Sequence, residues 1–376
     1  MKSVIEKNDE SVEGSPEQNG QKPILSVRNL KMHFPIVKGF FKRTVGYTKA
    51  VDDVSFDIFP GETFGLVGES GCGKTSVGRC IIRILEPTGG TISYASADGE
   101  DVEIVGLSNK EMKKFRTELR MIFQDPFSSL NPRMPVSAIV GEVLKVNGLA
   151  NDKEIDSQVR DLLNKVGLPA DYLGRYPHAF SGGQRQRIGI ARALASNPRL
   201  VVCDEAVSAL DVSIQAQTIN LLQDLQEEFG LTYLFIAHDL SVVEHISDRL
   251  GVMYSGKMVE MGTSDAVYSR PLHPYTEALL SAVPEPDPTR RDTASRVRLT
   301  GEVADSSNPP SGCYFHPRCQ YAQERCKIES PKFLEIESGH FSACHFAGEL
   351  ELKGAFSPEV AKKRNQKVEE KCKSEV

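Results

Sequence analysis

Short apolar runs alternate with longer segments of helical periodicity between residues 24 and 237. The runs are typical of strands that are buried on both faces of a sheet, and they lie at residues 24–27, 54–58, 63–67, 120–124, 200–203 and 233–237. Apolar positions with helical spacing occur at residues 76–85, 136–173, 183–195 and 214–228. This alternation predicts an α/β fold with a parallel sheet and a helical insert at about 136–195.

The remaining segments differ in composition from this alternating region. Residues 89–105 have the pattern of a β-hairpin, with Asp98 and Gly99 at its turn. Residues 1–22 are polar and rich in Glu, Ser, Asn and Gly, so we expect a disordered tail there. Prolines at 284, 286, 288, 309 and 310 mark a loop-rich segment that leads to clustered cysteines, and a charged tail ends the chain.

Composition and charge disfavour several classes of function. The 376 residues carry a net charge of −6, which argues against a protein that binds nucleic acid by neutralising its backbone. No apolar run is long enough to span a bilayer, and the N-terminus lacks the apolar core of a signal peptide. The eight cysteines are too unevenly placed for a disulfide scaffold, so we expect a reducing, cytoplasmic environment.

The pattern G-x-x-x-x-G-K-[ST] lies between a predicted strand and a predicted helix. Such a loop wraps its backbone N–H groups around nucleotide phosphates, its lysine reaches the β- and γ-phosphates, and its hydroxyl binds Mg²⁺. The positive end of the following helix adds to this attraction. The matching residues are Gly68, Glu69, Ser70, Gly71, Cys72, Gly73, Lys74 and Thr75, with Ser76 next.

Polar side chains follow three predicted strands, at the sheet edge where ligands collect in parallel α/β folds. Asp204 and Glu205 end one strand: the first carboxylate is placed for the Mg²⁺ shell, and the second can orient or deprotonate an attacking water. His238 follows the next strand, and Gln124 ends another, within reach of the metal or the water. The alternative is that the two acids are simply solvated and that the histidine has a structural role. This alternative is less favourable because a phosphate loop lies upstream in the same chain.

A second glycine-rich helix start lies in the helical insert, at Ser181, Gly182, Gly183 and Gln184. Ser181 can simply be the N-cap of this helix. Two glycines in a first turn weaken a helix by up to about 1 kcal/mol each, so they indicate that another molecule's phosphate approaches the backbone closely. Because the chain already has one phosphate loop, this second helix end predicts a head-to-tail dimer.

In order and spacing, these segments resemble the six motifs of ATP-binding cassette (ABC) ATPases, over about residues 24–270. The motifs are Walker A at 68–75, the Q-loop at Gln124, the signature at 180–184, Walker B at 200–205, the D-loop at 208–211 and the H-loop at His238. The resemblance implies a P-loop NTPase (RecA-like) core with an antiparallel β subdomain and a helical subdomain. It also implies that two cassettes sandwich two ATP molecules, which they hydrolyse.

The family pattern further implies a role for each matched residue. Residues implied to act in catalysis are Lys74, Gln124, Glu205 and His238. Residues implied to hold Mg²⁺ are Thr75, Gln124 and Asp204. Residues implied to bind the partner's ATP are Ser181, Gly183 and Gln184, with Asp211 at the dimer contact.

Two positions depart from the commoner family residues. An aromatic side chain upstream of the phosphate loop stacks on the adenine in this family, and Phe34 is the first candidate, with Tyr47 as the alternative. Cys72 stands where serine is frequent. A thiol at a helix N-terminus has a lowered pKa, so thiol reagents are expected to block ATP binding.

Residues 120–134, 209–217 and 270–280 resemble the ATP-binding subunits of bacterial oligopeptide and dipeptide importers, closest to the F-type oligopeptide subunit. That resemblance implies a second ABC ATPase subunit, two membrane permeases that dock on the loop at 124–134 and, indirectly, a peptide-binding protein. The chain is then a peripheral protein at the cytoplasmic face of the membrane. Its expected parts are a tail (1–22), the cassette (23–270), a C-terminal extension (271–350) and a charged tail (351–376).

Other functions remain as alternatives to peptide import. An ABC importer ATPase for another small solute, such as a nickel chelate or a sugar, has the same motifs. A soluble ABC ATPase without a permease is disfavoured by the single cassette and by the permease-type loop after Gln124. A regulatory subunit with an inactive site is disfavoured because Lys74, Glu205 and His238 are all present.

The small C-terminal extension is expected to carry a metal. Its four cysteines are Cys313, Cys319, Cys326 and Cys344. Their spacings are wider than the paired C-x₂-C of most zinc sites, and four thiolates suit a [4Fe–4S] cluster. This segment resembles the one that holds such a cluster in the importer group. Zinc is an alternative because three histidines that could bind it lie in the same segment: His316, His340 and His345. Unliganded thiols are the third possibility.

Overall fold

The structure is a computed structural model that describes residues 21–282, 297 and 299–355. The tails expected at 1–22 and 351–376 lie almost entirely outside the described residues, as do the prolines at 284, 286 and 288. The strands of the described part are β1 (Leu25–Lys38), β2 (Arg43–Ile58), β3 (Thr63–Val67), β4 (Gly89–Ala95), β5 (Asp101–Glu103), β6 (Leu119–Ile122), β7 (Leu200–Asp204), β8 (Thr232–Ile236), β9 (Arg249–Tyr254), β10 (Lys257–Thr263), β11 (Leu334–Glu337) and β12 (His340–Ser342).

The larger sheet has the strand order β11-β12-β10-β9-β3-β8-β7-β6. Its five strands from β9 to β6 are parallel, as the alternation of strands and helices predicts. β3, β7 and β8 are buried along their whole length, because other elements cover both faces of the sheet. Successive side chains of β7 point to opposite faces, so that Leu200 and Val202 enter one apolar core and Val201 and Cys203 the other.

The smaller sheet is antiparallel, in the order β2-β1-β4-β5. Its apolar side chains share the core that receives Leu200 and Val202. The predicted hairpin at 89–105 is confirmed: β4 and β5 pair around a turn in which the Gly99 N–H donates to the carbonyl of Ser96 (2.9 Å). This sheet is the expected antiparallel β subdomain.

The helices of the described residues are α1 (Lys74–Ile81), α2 (Asn109–Phe115), α3 (Val136–Val146), α4 (Ile155–Lys165), α5 (Gly182–Leu194), α6 (Val212–Phe229), α7 (Leu240–Ile246), α8 (Ser264–Ser269), α9 (Pro274–Ala282) and α10 (Glu324–Ile328). The segment with helical spacing at 136–173 contains two α-helices, α3 and α4, and not a continuous one. Gly148 and Gly167, with φ of +67° and +68°, follow α3 and α4 in the left-handed conformation that ends helices. None of the helices in the described part has the length and apolar character needed to cross a bilayer.

The described residues beyond 270, which we call the C-terminal segment, complete the larger sheet. β12 pairs with β10, with Phe341 opposite Met261, and β11 pairs with β12. The ring of Phe315 packs against Tyr254 at the end of β9 and against Tyr275 in α9, with ring centroids 5.2 and 5.4 Å apart. The segment therefore shares the core of the sheet that positions the active site.

Candidate active site

The phosphate loop joins a strand, β3, to a helix, α1, as the sequence predicts, and the helix begins at Lys74. Gly73 has a φ of +107°, and a Cβ there would stand 2.0 Å from the carbonyl oxygen of Ala50, so this position requires glycine. Lys74 is buried, and its Nζ donates to the carbonyl oxygens of Gly68 (2.7 Å) and Glu69 (3.1 Å). The loop thus places backbone N–H groups and an ammonium at the positive end of α1, an arrangement that suits phosphate.

Cys72 does not have the reactive environment expected from the sequence. Its side chain is only 1% exposed and belongs to the core between the two sheets. Burial raises the pKa of the thiol, and the Lys74 ammonium, 3.8 Å from Sγ, opposes this with a smaller effect. The expectation of a lowered pKa is therefore wrong, because the side chain turns under the loop, away from solvent.

Thr75 and Asp204 meet where the sequence places a metal ion. The Thr75 hydroxyl donates to Oδ1 of Asp204 (2.8 Å), which is the last residue of β7 and is 1% exposed. Burial raises the pKa of the Asp204 carboxyl, and the hydrogen bond from Thr75 opposes that shift. A hydroxyl and a carboxylate are the hard oxygen donors that Mg²⁺ prefers, so the pair fits this ion.

Glu205, Gln124 and His238 converge from the ends of three neighbouring strands. Glu205 has a φ of +46°, which is uncommon for a residue other than glycine. Residues in such a conformation are found preferentially at functional sites. Its Oε2 accepts a hydrogen bond from Nε2 of Gln124 (2.7 Å) and lies 3.3 Å from Nδ1 of His238. Glu205 and His238, with Ser208, line one open cavity. A water molecule in this cavity would be within reach of a carboxylate base.

The start of α5 forms a second group. Ser181 is the N-cap: its Oγ accepts from the Gln184 N–H, and the Gln184 side chain accepts from the Ser181 N–H. A Cβ at Gly183 would lie 2.6 Å from Cγ2 of Ile214 in α6, so this glycine has a packing role within the chain. The sequence argument, which assigned both glycines to a foreign phosphate, is therefore incomplete. Asp211 lies at the N-cap of α6, and its side chain makes no capping hydrogen bond.

Only one of the two aromatic candidates for the adenine can face a bound nucleotide. In the β1–β2 pair, Phe34 lies opposite Thr48 and Tyr47 lies opposite Pro35. Directly opposed residues share a face and successive residues alternate, so Phe34 and Tyr47 are on opposite faces of the hairpin. Both rings are exposed, with 36% and 54% of their surface accessible.

Two contacts of the phosphate loop come from residues that the sequence did not indicate. The guanidinium of Arg318 donates to both oxygens of the Glu69 carboxylate (2.6 and 2.9 Å), and the hydroxyl of Tyr275 accepts from the Glu69 N–H (2.8 Å). These partners are separated from Glu69 by 249 and 206 positions, so no local pattern signals them.

The four C-terminal cysteines line one small cavity, together with His316 and His345. Burial raises the pKa of the Cys319 thiol to about 12 and that of Cys344 to about 11. Both histidines use a ring nitrogen on a backbone carbonyl, that of Cys313 for His316 (2.9 Å) and that of Glu329 for His345 (2.8 Å). Among the described residues, no three His, Cys, Asp or Glu side chains converge closely enough to hold a single metal ion.

Comparisons with known proteins agree with this geometry. A family model described as "ABC transporter" matches residues 51–208, and one described as "Oligopeptide/dipeptide transporter, C-terminal region" matches residues 259–326. The fold is similar to that of the dimeric, post-hydrolysis ATP-binding cassette MJ0796 bound to ADP and Pi, with a TM-score of 0.56, 25% identity and coverage of 64% of this chain and 98% of that chain. Fold and site together define an ATP-binding cassette ATPase.

The relatives place the chain more narrowly within that class. It is 53% identical over 326 residues to "Oligopeptide transport ATP-binding protein AppF" of Bacillus subtilis (strain 168), covering 86% of this chain and 98% of the relative. It is 54% identical over 332 residues to "Putative oligopeptide transport ATP-binding protein YkfD" of the same strain, covering 88% and 98%. The chain belongs to the oligopeptide/dipeptide transporter family of ABC ATP-binding proteins.

Proposed function

We propose that this ATPase is the energy-coupling subunit of an importer for oligopeptides or dipeptides. The observation that supports ATP-driven work most directly is the convergence of Gln124, Glu205 and His238 beside the phosphate loop. The peptide substrate is supported by relatives that are about half identical over nearly their whole length and are named for peptide transport. In this proposal the cassette proper covers residues 23–270, and 271–350 form an extension.

Within the site, each residue has a separate task in hydrolysis. Lys74 and the loop N–H groups bind the β- and γ-phosphates, and Thr75 and Asp204, with Gln124, hold Mg²⁺, which when bound neutralises phosphate charge. Glu205 takes the proton of the attacking water. His238 and Gln124 keep its carboxylate in place through Oε2.

The signature residues at the start of α5 bind the nucleotide that a second cassette subunit holds. Ser181, Gly183 and Gln184 form a helix N-terminus in the helical subdomain, and the N–H groups of such a terminus favour an anion. Asp211, whose side chain does not cap α6, lies at the contact between subunits. ATP binding therefore closes the dimer and hydrolysis reopens it.

The permeases dock on the groove beside the loop that follows Gln124. This groove is lined by β6, α3, α5 and the residues after α1. Four arginines line it: Arg83, Arg116, Arg120 and Arg192. Burial lowers the pKa of the Arg120 and Arg192 guanidinium groups, and Nη2 of Arg120 is buried without a hydrogen-bond partner. Docking there places the chain at the cytoplasmic face of the membrane, with a peptide-binding protein on the other side.

We propose that the four cysteines around this cavity would hold a [4Fe–4S] cluster. Four thiols line one cavity, and four thiolates are the ligand set of such a cluster. Zinc remains the alternative, because His316 and His345 each bond a backbone carbonyl through one ring nitrogen and keep the other nitrogen for a metal. Anaerobic purification should give visible absorbance and about four iron atoms per chain. Cys319→Ser should lose both, whereas Cys80→Ala, in α1, should keep them; zinc in place of iron would overturn the assignment.

Reconstitution of the complete transporter tests the function. In proteoliposomes with both permeases and the second cassette subunit, peptide-loaded binding protein should stimulate ATP hydrolysis and peptide uptake. Lys74→Ala should abolish both, and Lys110→Ala, an exposed lysine of α2, should change neither. Stimulation by a sugar or a nickel chelate instead of peptide would refute the substrate class. Failure to assemble with permeases would support a soluble ATPase.

A further inference from the structure

Glu69, in the phosphate loop, is held by three different groups at once: Arg318, Tyr275 and Lys74. A carboxylate in a loop that receives a triphosphate repels its ligand unless a cation compensates it. The Arg318 guanidinium supplies that cation through two parallel hydrogen bonds of 2.6 and 2.9 Å, the paired geometry that is strongest for arginine and carboxylate. The Arg318 side chain is 6% exposed and that of Glu69 26%, so solvent screens the pair only partly.

The main chain of Glu69 connects this ion pair to the catalytic lysine. Its carbonyl oxygen accepts from Nζ of Lys74 (3.1 Å), and its N–H donates to the hydroxyl of Tyr275 (2.8 Å). Tyr275 lies in α9 and is fully buried. A displacement of Glu69 would therefore move an acceptor of the ammonium that binds the phosphates.

Arg318 is itself held by the C-terminal segment. It ends a short 3₁₀ helix, His316–Arg318, and its guanidinium lies 5.8 Å from the ring centroid of Tyr254. The same turn carries two thiols of the cysteine cavity: the His316 N–H donates to the carbonyl of Cys313 (3.0 Å), and the Cys319 N–H donates to that of His316 (3.3 Å). One turn thus reaches both the cavity and the phosphate loop.

We propose that Arg318 and Tyr275 are positioning residues for ATP binding: the C-terminal segment fixes Glu69, and through it Lys74, in the geometry that accepts the triphosphate. The C-terminal segment thereby influences ATP binding at the phosphate loop, although it lies outside the cassette motifs. The inference rests on the ATPase activity and not on peptide as the transported solute.

Nucleotide binding by the full-length chain tests the proposal, with Mg-ATP and a fluorescent ATP analogue as probes. Arg318→Met should raise the Kd for ATP, and the KM of the assembled ATPase, by about tenfold. The kcat should change less than the KM, because Arg318 bonds Glu69, whereas Glu205 bonds Gln124 and lies beside His238. Arg318→Lys should recover part of the affinity, since a lysine keeps the charge but not the paired geometry.

Double variants separate positioning from a general loss of structure. Glu69→Gln removes the charge that Arg318 compensates, so the double variant Glu69→Gln, Arg318→Met should bind ATP more tightly than Arg318→Met alone. Tyr275→Phe should weaken binding without moving the melting temperature of the nucleotide-free chain by more than a few degrees. Arg270→Met is the matched control, because it removes an exposed ion pair with Glu337 (2.8 Å) elsewhere in the segment.

Hydrogen exchange gives a readout that does not depend on activity. ATP should slow amide exchange in residues 313–319 of the wild type and of Arg270→Met, and should not slow it in Arg318→Met. Three outcomes would overturn the proposal: unchanged ATP affinity in Arg318→Met, no recovery in the double variant, or an exchange response that survives loss of the guanidinium.

Discussion

Glu205 combines a strained backbone with two polar contacts on one carboxylate oxygen. Its N–H donates to the carbonyl of Ile236 (2.9 Å), which ties the residue to the neighbouring strand and keeps its φ at +46°. Strain of this kind amounts to about 1–3 kcal/mol and persists only where the surroundings impose it. The fold therefore holds the carboxylate at the end of β7 in one orientation.

Glu205→Gln should separate hydrolysis from binding. The amide oxygen can still accept the hydrogen bond from Gln124, but an amide cannot take a proton from water, so the hydrolysis rate should fall at least about hundredfold. ATP affinity should stay within about twofold, and the closed dimer should accumulate. Phosphate release and equilibrium ATP binding measure the two effects.

The control for this variant is Glu227→Gln, an exposed acid in α6. It should hydrolyse ATP at the wild-type rate. Normal turnover in the Glu205 variant would show that another group activates the water.

Cys72 should resist alkylation in the folded protein. Burial, its largest influence, raises the pKa of the thiol, so little thiolate exists at neutral pH, and the side chain is closed to reagents. Iodoacetamide should modify Cys72 at least about tenfold more slowly in the native chain than in urea, as followed by mass spectrometry. Equal rates in the two states would mean that the loop opens readily.

At the scale of elements, the start of α5 serves two requirements. The capping box between Ser181 and Gln184 satisfies helix N–H groups locally, and Gly183 allows close packing on Ile214 of α6. The same residues that resemble a ligand site in the sequence therefore also form a contact between α5 and α6.

Gly183→Ala should destabilise the chain by about 1–3 kcal/mol, because its Cβ would stand 2.6 Å from Cγ2 of Ile214. Removing that methyl with Ile214→Ala in the same chain should restore part of the loss. Gly189→Ala is the matched control: a Cβ there meets no atom within 4 Å, so the helix should gain up to about 1 kcal/mol. Urea unfolding measures all of these values.

The elements that the sequence predicted correctly are those with strong local patterns. β3, β7 and β8 are apolar on both faces, and α6 has a clear period, so their positions were found within a few residues. The sequence did not show where the helical segment at 136–173 divides, because apolar spacing continues across Gly148 and Gly167, where the backbone turns left-handed. Periodicity alone does not register such a break.

At the scale of the molecule, the signature group and the phosphate loop belong to different subdomains, which supports the proposed head-to-tail dimer. Ser181→Arg places a bulky cation where the partner's phosphates would sit. In a mixture of this chain and its partner cassette with ATP, dimer formation should be lost in sedimentation experiments. ATP affinity of the isolated chain should change by less than about twofold, since its own phosphate loop is untouched.

Ser157→Arg, on the exposed surface of α4 in the same subdomain, is the control and should dimerise normally. A Ser181→Arg variant that still dimerises with ATP would show that this helix end does not meet the partner's nucleotide.

Long-range contacts mark the limit of what the sequence alone can predict. Lys74, Thr75, Asp204 and Glu205 could be located from local patterns because each lies at the end of a recognisable strand or the start of a helix. The contact of Arg318 with Glu69 joins residues 249 positions apart and depends on how the last strands pack, which no local pattern encodes.

The strand β12 reaches its neighbour β10 only late in synthesis. A nascent chain emerges from its N-terminus, so β10 leaves the ribosome well before residues 340–342 exist to cover it. Until then, one row of backbone donors and acceptors on β10 is open to strands of other chains. A product cut short before residue 340 should therefore tend to aggregate, and messages that lack this final stretch should yield little soluble protein.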